Sequence, residues 1–362
     1  MRSTRETLSG IDWLGLTSRE FAAYVAERGL PAYRGRQIFH ALHRRLVTSV
    51  EDIHELPQSL RLALAAELNL APLRLVQVFD ATDGTRRYLF TVRDGHAIET
   101  VWIPDGRRVT LCLSSQAGCP MMCAFCATGT LGLQRNLTAG EIVAQVLYVL
   151  REAGRRPEPA QAANVNLVLM GMGEPLLNYE QVMQALRVLA DPQGLHIVPR
   201  RVTLSTVGIV PKIAALGCEP DRPRLAVSLT APTDELRARL MPVNLTYPLE
   251  ALRQVCLEFP LRAGERITFE YVLLDGVNDS EAEARALLRW LSPLRAREAA
   301  KVNLIPHNPA PGIPFRPSPP ERIAQFQAVL RAKGLPTYIR RPRGRDIFAA
   351  CGMLAAAGLS AS

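Results

Sequence analysis

No stretch of this chain reaches the roughly 18 consecutive apolar residues that a membrane span needs. The opening Met1 to Gly10 also lacks the apolar run of a signal peptide. These two absences point to a cytoplasmic protein with no membrane partner. Cysteine is scarce: seven in 362 residues, an odd number that argues against a disulfide framework and for metal or catalysis. A fourth short-range metal ligand is missing as well. Cys119, Cys123 and Cys126 form a C-x3-C-x2-C run, and no Cys or His follows before His196.

That run is the most informative stretch present. It follows the alternating pattern Val109-Thr110-Leu111-Cys112-Leu113 and reads as a loop at a strand end. Three thiolates this close can converge on one metal centre. A structural zinc site would want a fourth Cys or His at short spacing. An iron–sulfur cube normally takes four cysteines, so three leave one iron open for a further ligand. The rest of the composition is that of an ordinary globular protein, with 48% hydrophobic and 21% charged residues. A net charge of +9 and a pI near 9.5 hint at a polyanionic partner.

Taken in order, the first 72 residues read as helical. Thr17-Ser18-Arg19-Glu20 is a helix start, Gly35 to Arg45 an amphipathic run, and Gln58 to Leu68 a third helix. Arg34, Arg36, Arg44 and Arg45 cluster near Tyr33 and Phe39, which suits a phosphate-contacting module. Three β-like runs follow, Leu75–Phe79, Arg87–Val92 and Ala97–Ile103, separated by the turn pairs Asp83-Gly84 and Asp94-Gly95. From 105 onward strands and helices alternate. Strands are expected at Val109–Leu113, Val165–Met170, Arg201–Ser205, Arg224–Leu229, Ile267–Leu274 and Lys301–Ile305. Such alternation means βαβ units and a parallel sheet. The expectation is an α/β fold: a partial, open (β/α)6 barrel over 105–345, with an N-terminal helical accessory domain (1–72), a short antiparallel β extension (73–104) and a C-terminal tail (346–362).

In sheets of this kind, sites form where loops leave the carboxyl ends of the strands. Gly171-Met172-Gly173-Glu174-Pro175, Ser205-Thr206, Ser228-Leu229-Thr230 and Asn308 all stand at such ends. Glycines let a backbone approach a ligand closely, and a carboxylate can hold an ammonium group. Together these residues suggest one polar ligand bound across the rim. In the tail, Arg340-Arg341-Pro342-Arg343-Gly344-Arg345 suits phosphate contact through planar bidentate forks. Cys351 follows six residues on. Cys218 and Cys256 are expected to be small buried apolar residues.

The cysteine spacing, with Phe125 before the last thiol, looks like the signature of radical S-adenosylmethionine enzymes. The further motifs Ala97-Ile98-Glu99-Thr100-Val101, Cys112-Leu113-Ser114-Ser115-Gln116, Gly171–Pro175, Leu204-Ser205-Thr206, Asn308-Pro309 and Ala350-Cys351-Gly352 resemble the RNA adenine-C2 methyltransferases of that superfamily over nearly the whole chain. The resemblance implies that Cys119, Cys123 and Cys126 hold a 4Fe–4S cluster. It implies that Gly173, Glu174, Ser205, Ser228, Leu229, Thr230 and Asn308 hold S-adenosylmethionine, used twice per turnover. Cys351 would carry a methyl group to C2 of an adenine in 23S rRNA or tRNA. Glu99 would accept the C2 proton, and Cys112 would release the product as a transient disulfide. An electron donor such as flavodoxin or ferredoxin and a monomeric state are part of the same expectation. Thr230 stands where relatives generally have His, His307 where they often have Trp, and Arg345 where they have an acidic residue. Two alternatives are methylation at adenine C8 and an RNA-binding protein whose cluster is only structural.

Overall fold

The computed structural model describes residues 12–68, 70–154 and 164–355. Met1 to Gly10 and the end of the expected tail, 356–362, lie outside them. The centre is one ten-stranded sheet. Its first members are β1 (Leu73–Asp80), β2 (Arg86–Val92), β3 (Ala97–Asp105) and β4 (Arg108–Cys112), each antiparallel to the next. A separate two-stranded piece, β5 (Gln116–Gly118) with β6 (Leu133–Asn136), brackets the cysteine loop. The main sheet then continues in parallel from β4 through β7 (Val165–Leu169), β8 (Val202–Thr206), β9 (Arg224–Ser228), β10 (Ile267–Leu273) and β11 (Ala300–Pro306) to β12 (Thr337–Ile339). The sheet ends on β1 and β12 without closing, so the barrel is open.

The six expected barrel strands are present within a residue or two. β12 and the helix Pro320–Arg331 before it were not anticipated. That helix turns Ile323, Phe326 and Leu330 inward at helical spacing, and a three-residue strand is too short to show alternation. The inner strands are covered on both faces, which is why they read as near-continuous apolar runs. The helix Ala139–Glu152 is opened by a reciprocal capping box between Thr138 and Glu141.

The helices Ser18–Ala26, Ala32–His43 and Gln58–Glu67 pack around Trp13, Phe21 and Phe39. Phe39 is therefore core, stacked on His43 at 4.3 Å, and is no partner for the basic cluster. Arg34 and Arg45 are engaged with Glu55, while Arg36 is exposed beside them. This module is pinned to the barrel at one helix end. The Asp12 carboxylate accepts the Gly140 N–H at 2.6 Å, where the helix dipole favours negative charge. Any side chain at Gly140 would collide with it. Among the described residues no helix is long and apolar enough to cross a membrane.

Candidate active site

A cavity of ≈ 950 Å³, its mouth included, opens at the carboxyl ends of the parallel strands. Cys119, Cys123 and Cys126 line one side of it. Their loop is fixed by three backbone bonds. Cys119 N–H donates to Gly132 at 2.8 Å, Cys126 N–H to Cys123 at 3.1 Å, and Ala124 N–H to Leu240 at 2.9 Å. Burial raises the thiol pKa values, Cys119 to about 12 and Cys123 well above its usual 9, and the neighbouring thiols add to the shift. Neutral thiols are the stable form when nothing binds them. Among the described residues no group of three His, Cys, Asp or Glu side chains is close enough to share one metal ion. An iron–sulfur cube places each thiolate on a different iron, so its three thiols need not converge on one point.

The opposite walls come from the strand-end motifs. Glu174 is buried and accepts Val207 N–H at 2.8 Å and Leu176 N–H at 3.0 Å. Burial outweighs these bonds and lifts its pKa to about 7. Gly173 has φ +103°, and a Cβ on it would lie 2.7–2.8 Å from Gln116 and Ser115. One on Gly171 would lie 2.7 Å from the Leu113 carbonyl. Both glycines line the cavity and at the same time lie close against the chain that leads into the cysteine loop. Ser205 donates to Glu270 at 3.0 Å. Ser228 and Thr230 line the cavity, whereas Leu229 turns its fully buried side chain into the core and offers only backbone. Thr230 is left-handed at φ +58°, a strained state for a β-branched residue. Three cavity residues carry buried polar atoms without a hydrogen-bond partner: Thr230 Oγ1, His307 Nε2 and Asn308 Oδ1. Buried polar atoms are normally paired, so this wall is built for a polar ligand.

A second cavity of ≈ 760 Å³ lies next to the first and shares Met170, Ile305, Asn308 and Cys351 with it. Cys112 opens only to the second, and Cys351 to both. The two thiols, 239 residues apart in sequence, lie within electrostatic reach of one another and of Arg340. Burial pushes the Cys112 thiol up to about 12, Cys351 adds to this, and Arg340 opposes it. Arg340 pairs with Glu270 at 3.4 Å, so a single ion pair links the two cavities.

The tail that carries Cys351 is held on both sides. Asn308 donates to the Cys351 carbonyl at 3.1 Å, Ala127 to that of Gly352 at 2.8 Å, and Thr128 to that of Leu354 at 2.6 Å. On the other side Gly344 donates to Asp83 at 3.2 Å, Thr82 to Asp346 at 3.0 Å, and Arg343 reaches Pro104. Only Arg341 and Arg345 of the arginine stretch are exposed, so half of it is structural. Glu99 lines neither cavity. It is fully buried on β3 and ion-paired to Arg87. Alternation puts it on the same face as Val101, which pairs with Cys112 across β3 and β4. Cys256 is buried as expected, but Cys218 is exposed at the end of the helix Val210–Gly217.

Sequence reasoning missed Glu270, Arg340 as its half-buried ion-pair partner, and Arg237. Glu270 did leave a signal, a carboxylate in the middle of the apolar run Ile267–Leu274, where a covered strand has no place for an unpaired charge.

Comparison with known proteins agrees with this geometry. Residues 113–288 match the model of the radical SAM superfamily. The dual-specificity RNA methyltransferase RlmN of Syntrophobacter fumaroxidans is 47% identical over 340 residues, covering 94% of this chain and 96% of its own. RlmN 2 of Myxococcus xanthus is 45% identical, covering 96% and 91%. The crystal structure of a radical SAM methyltransferase from Sphaerobacter thermophilus superposes with a TM-score of 0.89 at 46% identity, covering 95% of this chain and 98% of that one. The chain belongs to the RlmN family of radical S-adenosylmethionine RNA methyltransferases, enzymes that work with a 4Fe–4S cluster and S-adenosylmethionine.

Proposed function

We propose that this enzyme methylates C2 of adenine in 23S rRNA and tRNA, with Cys351 as methyl carrier and Cys112 as the thiol that frees the product. The observation that carries this reading is that Cys112 and Cys351 line one cavity within electrostatic reach of each other, while Cys351 also opens to the cavity of the cysteine loop. Carbon C2 of adenine is not nucleophilic, so direct transfer from a sulfonium fails there. The cluster and S-adenosylmethionine, when bound, supply the methyl group and the one-electron chemistry that such a carbon requires.

The chain's own residues supply the rest. Cys119, Cys123 and Cys126 hold the cluster and leave one iron open. Glu174 takes the amino group of the cofactor, with Gly173, Ser205, the backbone of Ser228–Thr230 and Asn308 completing the cradle. The three partnerless polar atoms on that wall fit such a ligand. Cys351, open to both cavities, carries the methyl from the cofactor side to the RNA side. Glu99 accepts the C2 proton from the same sheet face as Cys112. Cys112, as thiolate, then attacks the sulfur of Cys351, and the S–S bond forms as the bond from that sulfur to the transferred carbon breaks. The carbon leaves with the electron pair and takes up a proton to become the methyl group on C2, by the same attack at sulfur that drives thiol–disulfide exchange. Two S-adenosylmethionine molecules serve each turnover. Residues 1–72 and the exposed Arg341 and Arg345 contact RNA phosphate, and a small electron-transfer protein such as flavodoxin or ferredoxin feeds the cluster. We take the enzyme to be a cytoplasmic monomer.

The test is anaerobic reconstitution followed by assay on each RNA. Cys112→Ala should leave protein covalently trapped on RNA, and Cys351→Ala should form no adduct at all. Digestion of the product should give 2-methyladenosine. An 8-methyl product would reassign the position, and intact cofactor after reduction would leave only a structural cluster.

A further inference from the structure

Arg237 stands on the helix Asp234–Leu240 with its side chain fully buried. Its guanidinium donates to the carbonyls of Val207 at 2.6 Å, Ser228 at 3.2 Å and Leu229 at 3.2 Å, and to Asn244 Oδ1 at 3.0 Å. Every one of these acceptors is neutral. Burial lowers its pKa to about 10, which still leaves it charged at neutral pH. A buried cation without a carboxylate partner is costly by several kcal/mol, so the site should hold a negative group that answers it.

The geometry says which. Val207 and Ser228, two of the carbonyl acceptors, line the cofactor cavity. The cysteine loop hangs from the end of the same helix, through Ala124 N–H to the Leu240 carbonyl at 2.9 Å. Cys123, next to Ala124, becomes a thiolate only when it holds the cluster, and its charge would then bear on Arg237 ahead of Asp234 and Cys256. Among the described residues the carboxylate whose charge bears on Arg237 is Asp234, exposed and bonded instead to Asn244 and the Leu249 N–H.

We propose that Arg237 is the buried counter-charge of the iron–sulfur cluster and raises its reduction potential. This rests on the cluster ligation proposed above. One-electron reduction adds one negative charge to the cluster and takes one electron from the reductant. A fixed cation across a low-dielectric gap stabilises the more negative state. The four neutral acceptors hold the guanidinium rigidly, so little reorganisation accompanies the electron. Arg237 is thus a positioning residue that acts through the cluster and touches no substrate.

The experiment is an anaerobic dithionite titration of the reconstituted full-length enzyme, followed by electron paramagnetic resonance. Arg237→Gln should lower the midpoint so that the reduced-to-oxidised ratio at a fixed poise falls about tenfold, which is 59 mV for one electron. Arg237→Lys keeps the charge and should hold the ratio within about threefold of the parent. Lys and Gln variants that shift alike, or a Gln variant with unchanged potential, would overturn the proposal. Should the Gln variant not fold, Asp234→Asn decides. It removes the carboxylate that offsets part of the Arg237 field, and a midpoint that fails to rise defeats the idea. A parent enzyme that takes up no iron sinks the ligation reading instead, so the two failures are distinguishable.

Discussion

Two sets of cysteines meet at this site and are built in opposite ways. Cys119, Cys123 and Cys126 lie on one loop between β5 and β6, held mostly by bonds within it and to Gly132, with one tertiary bond from Ala124 to the end of the helix Asp234–Leu240. Cys112 and Cys351 come from the end of β4 and from a tail that crosses the sheet, and only tertiary structure brings them together. The first set depends on local chain geometry, which survives changes elsewhere. The second depends on anchors scattered from Thr82 to Asn308. Binding of the cluster and placement of the methyl carrier should therefore be separable by mutation.

The largest effect tests that separation directly. Replacing any one of Cys119, Cys123 or Cys126 by Ala should abolish both iron uptake and all methylated product, whereas Cys112→Ala and Cys351→Ala should keep full iron content. Iron analysis and the visible absorption of the reconstituted protein check this. A Cys119→Ala protein with parental iron would break the contrast.

The same contrast explains what could be read from sequence. Three thiols at fixed short spacing announce themselves, and so do strands long enough to show a period, as with β10 and β11. The helix start at Thr17 is legible because a capping box needs only four consecutive residues. What was not legible is non-local. That Arg340 leaves the tail to pair with Glu270 follows from β12 lying beside β11, and β12 is three residues long. Phe39 reads in sequence as an aromatic beside the arginine cluster, whereas Phe21 and His43 enclose it in the core. Gly171 and Gly173 line the cavity as the spacing suggests, and they also make room for Leu113 to Gln116, which spacing does not reveal. Spacing carries local geometry, and it carries no information about which distant segment fills the space.

Arg340 sharpens the comparison at the next size of effect. It is the cation that offsets burial at Cys112. Arg340→Met should slow alkylation of Cys112 in the iron-free protein by about tenfold at fixed pH, corresponding to roughly one pKa unit. Iron content should not change. Alkylation mapped by mass spectrometry at several pH values gives the answer, and a profile that does not move would remove Arg340 from the thiol site.

Glu174 belongs to the cluster side, and its effect appears in pH. Its folded pKa of about 7 lies above the ordinary 4.5. Between those values the folded state keeps a proton that the unfolded chain has released. Stability from this group is thus greatest below pH 4.5 and declines as pH rises to 7. The decline is on the order of 3 kcal/mol at most. Glu174→Gln should flatten that slope in apoprotein melts, raising stability at pH 8 while weakening S-adenosylmethionine binding. Equal slopes for parent and variant would mean the carboxylate is ionised throughout.

The smallest effect concerns the tail anchor. Asp83, in the β1–β2 turn, accepts Gly344 N–H and lies 3.7 Å from Arg343. Both groups are partly exposed, so Asp83→Ala should cost about 1 kcal/mol or less of global stability. The local consequence is larger in kind than in energy, because this bond fixes the left-handed turn at Gly344, seven residues before Cys351. Loosening it should make Cys351 react a few-fold faster with iodoacetamide and slow RNA methylation by a similar factor, with iron content and cluster absorption unchanged. If Asp83→Ala instead lowered iron content, tail and cysteine loop would be one cooperative unit, and the division between local and assembled thiols would fail at its most sensitive point.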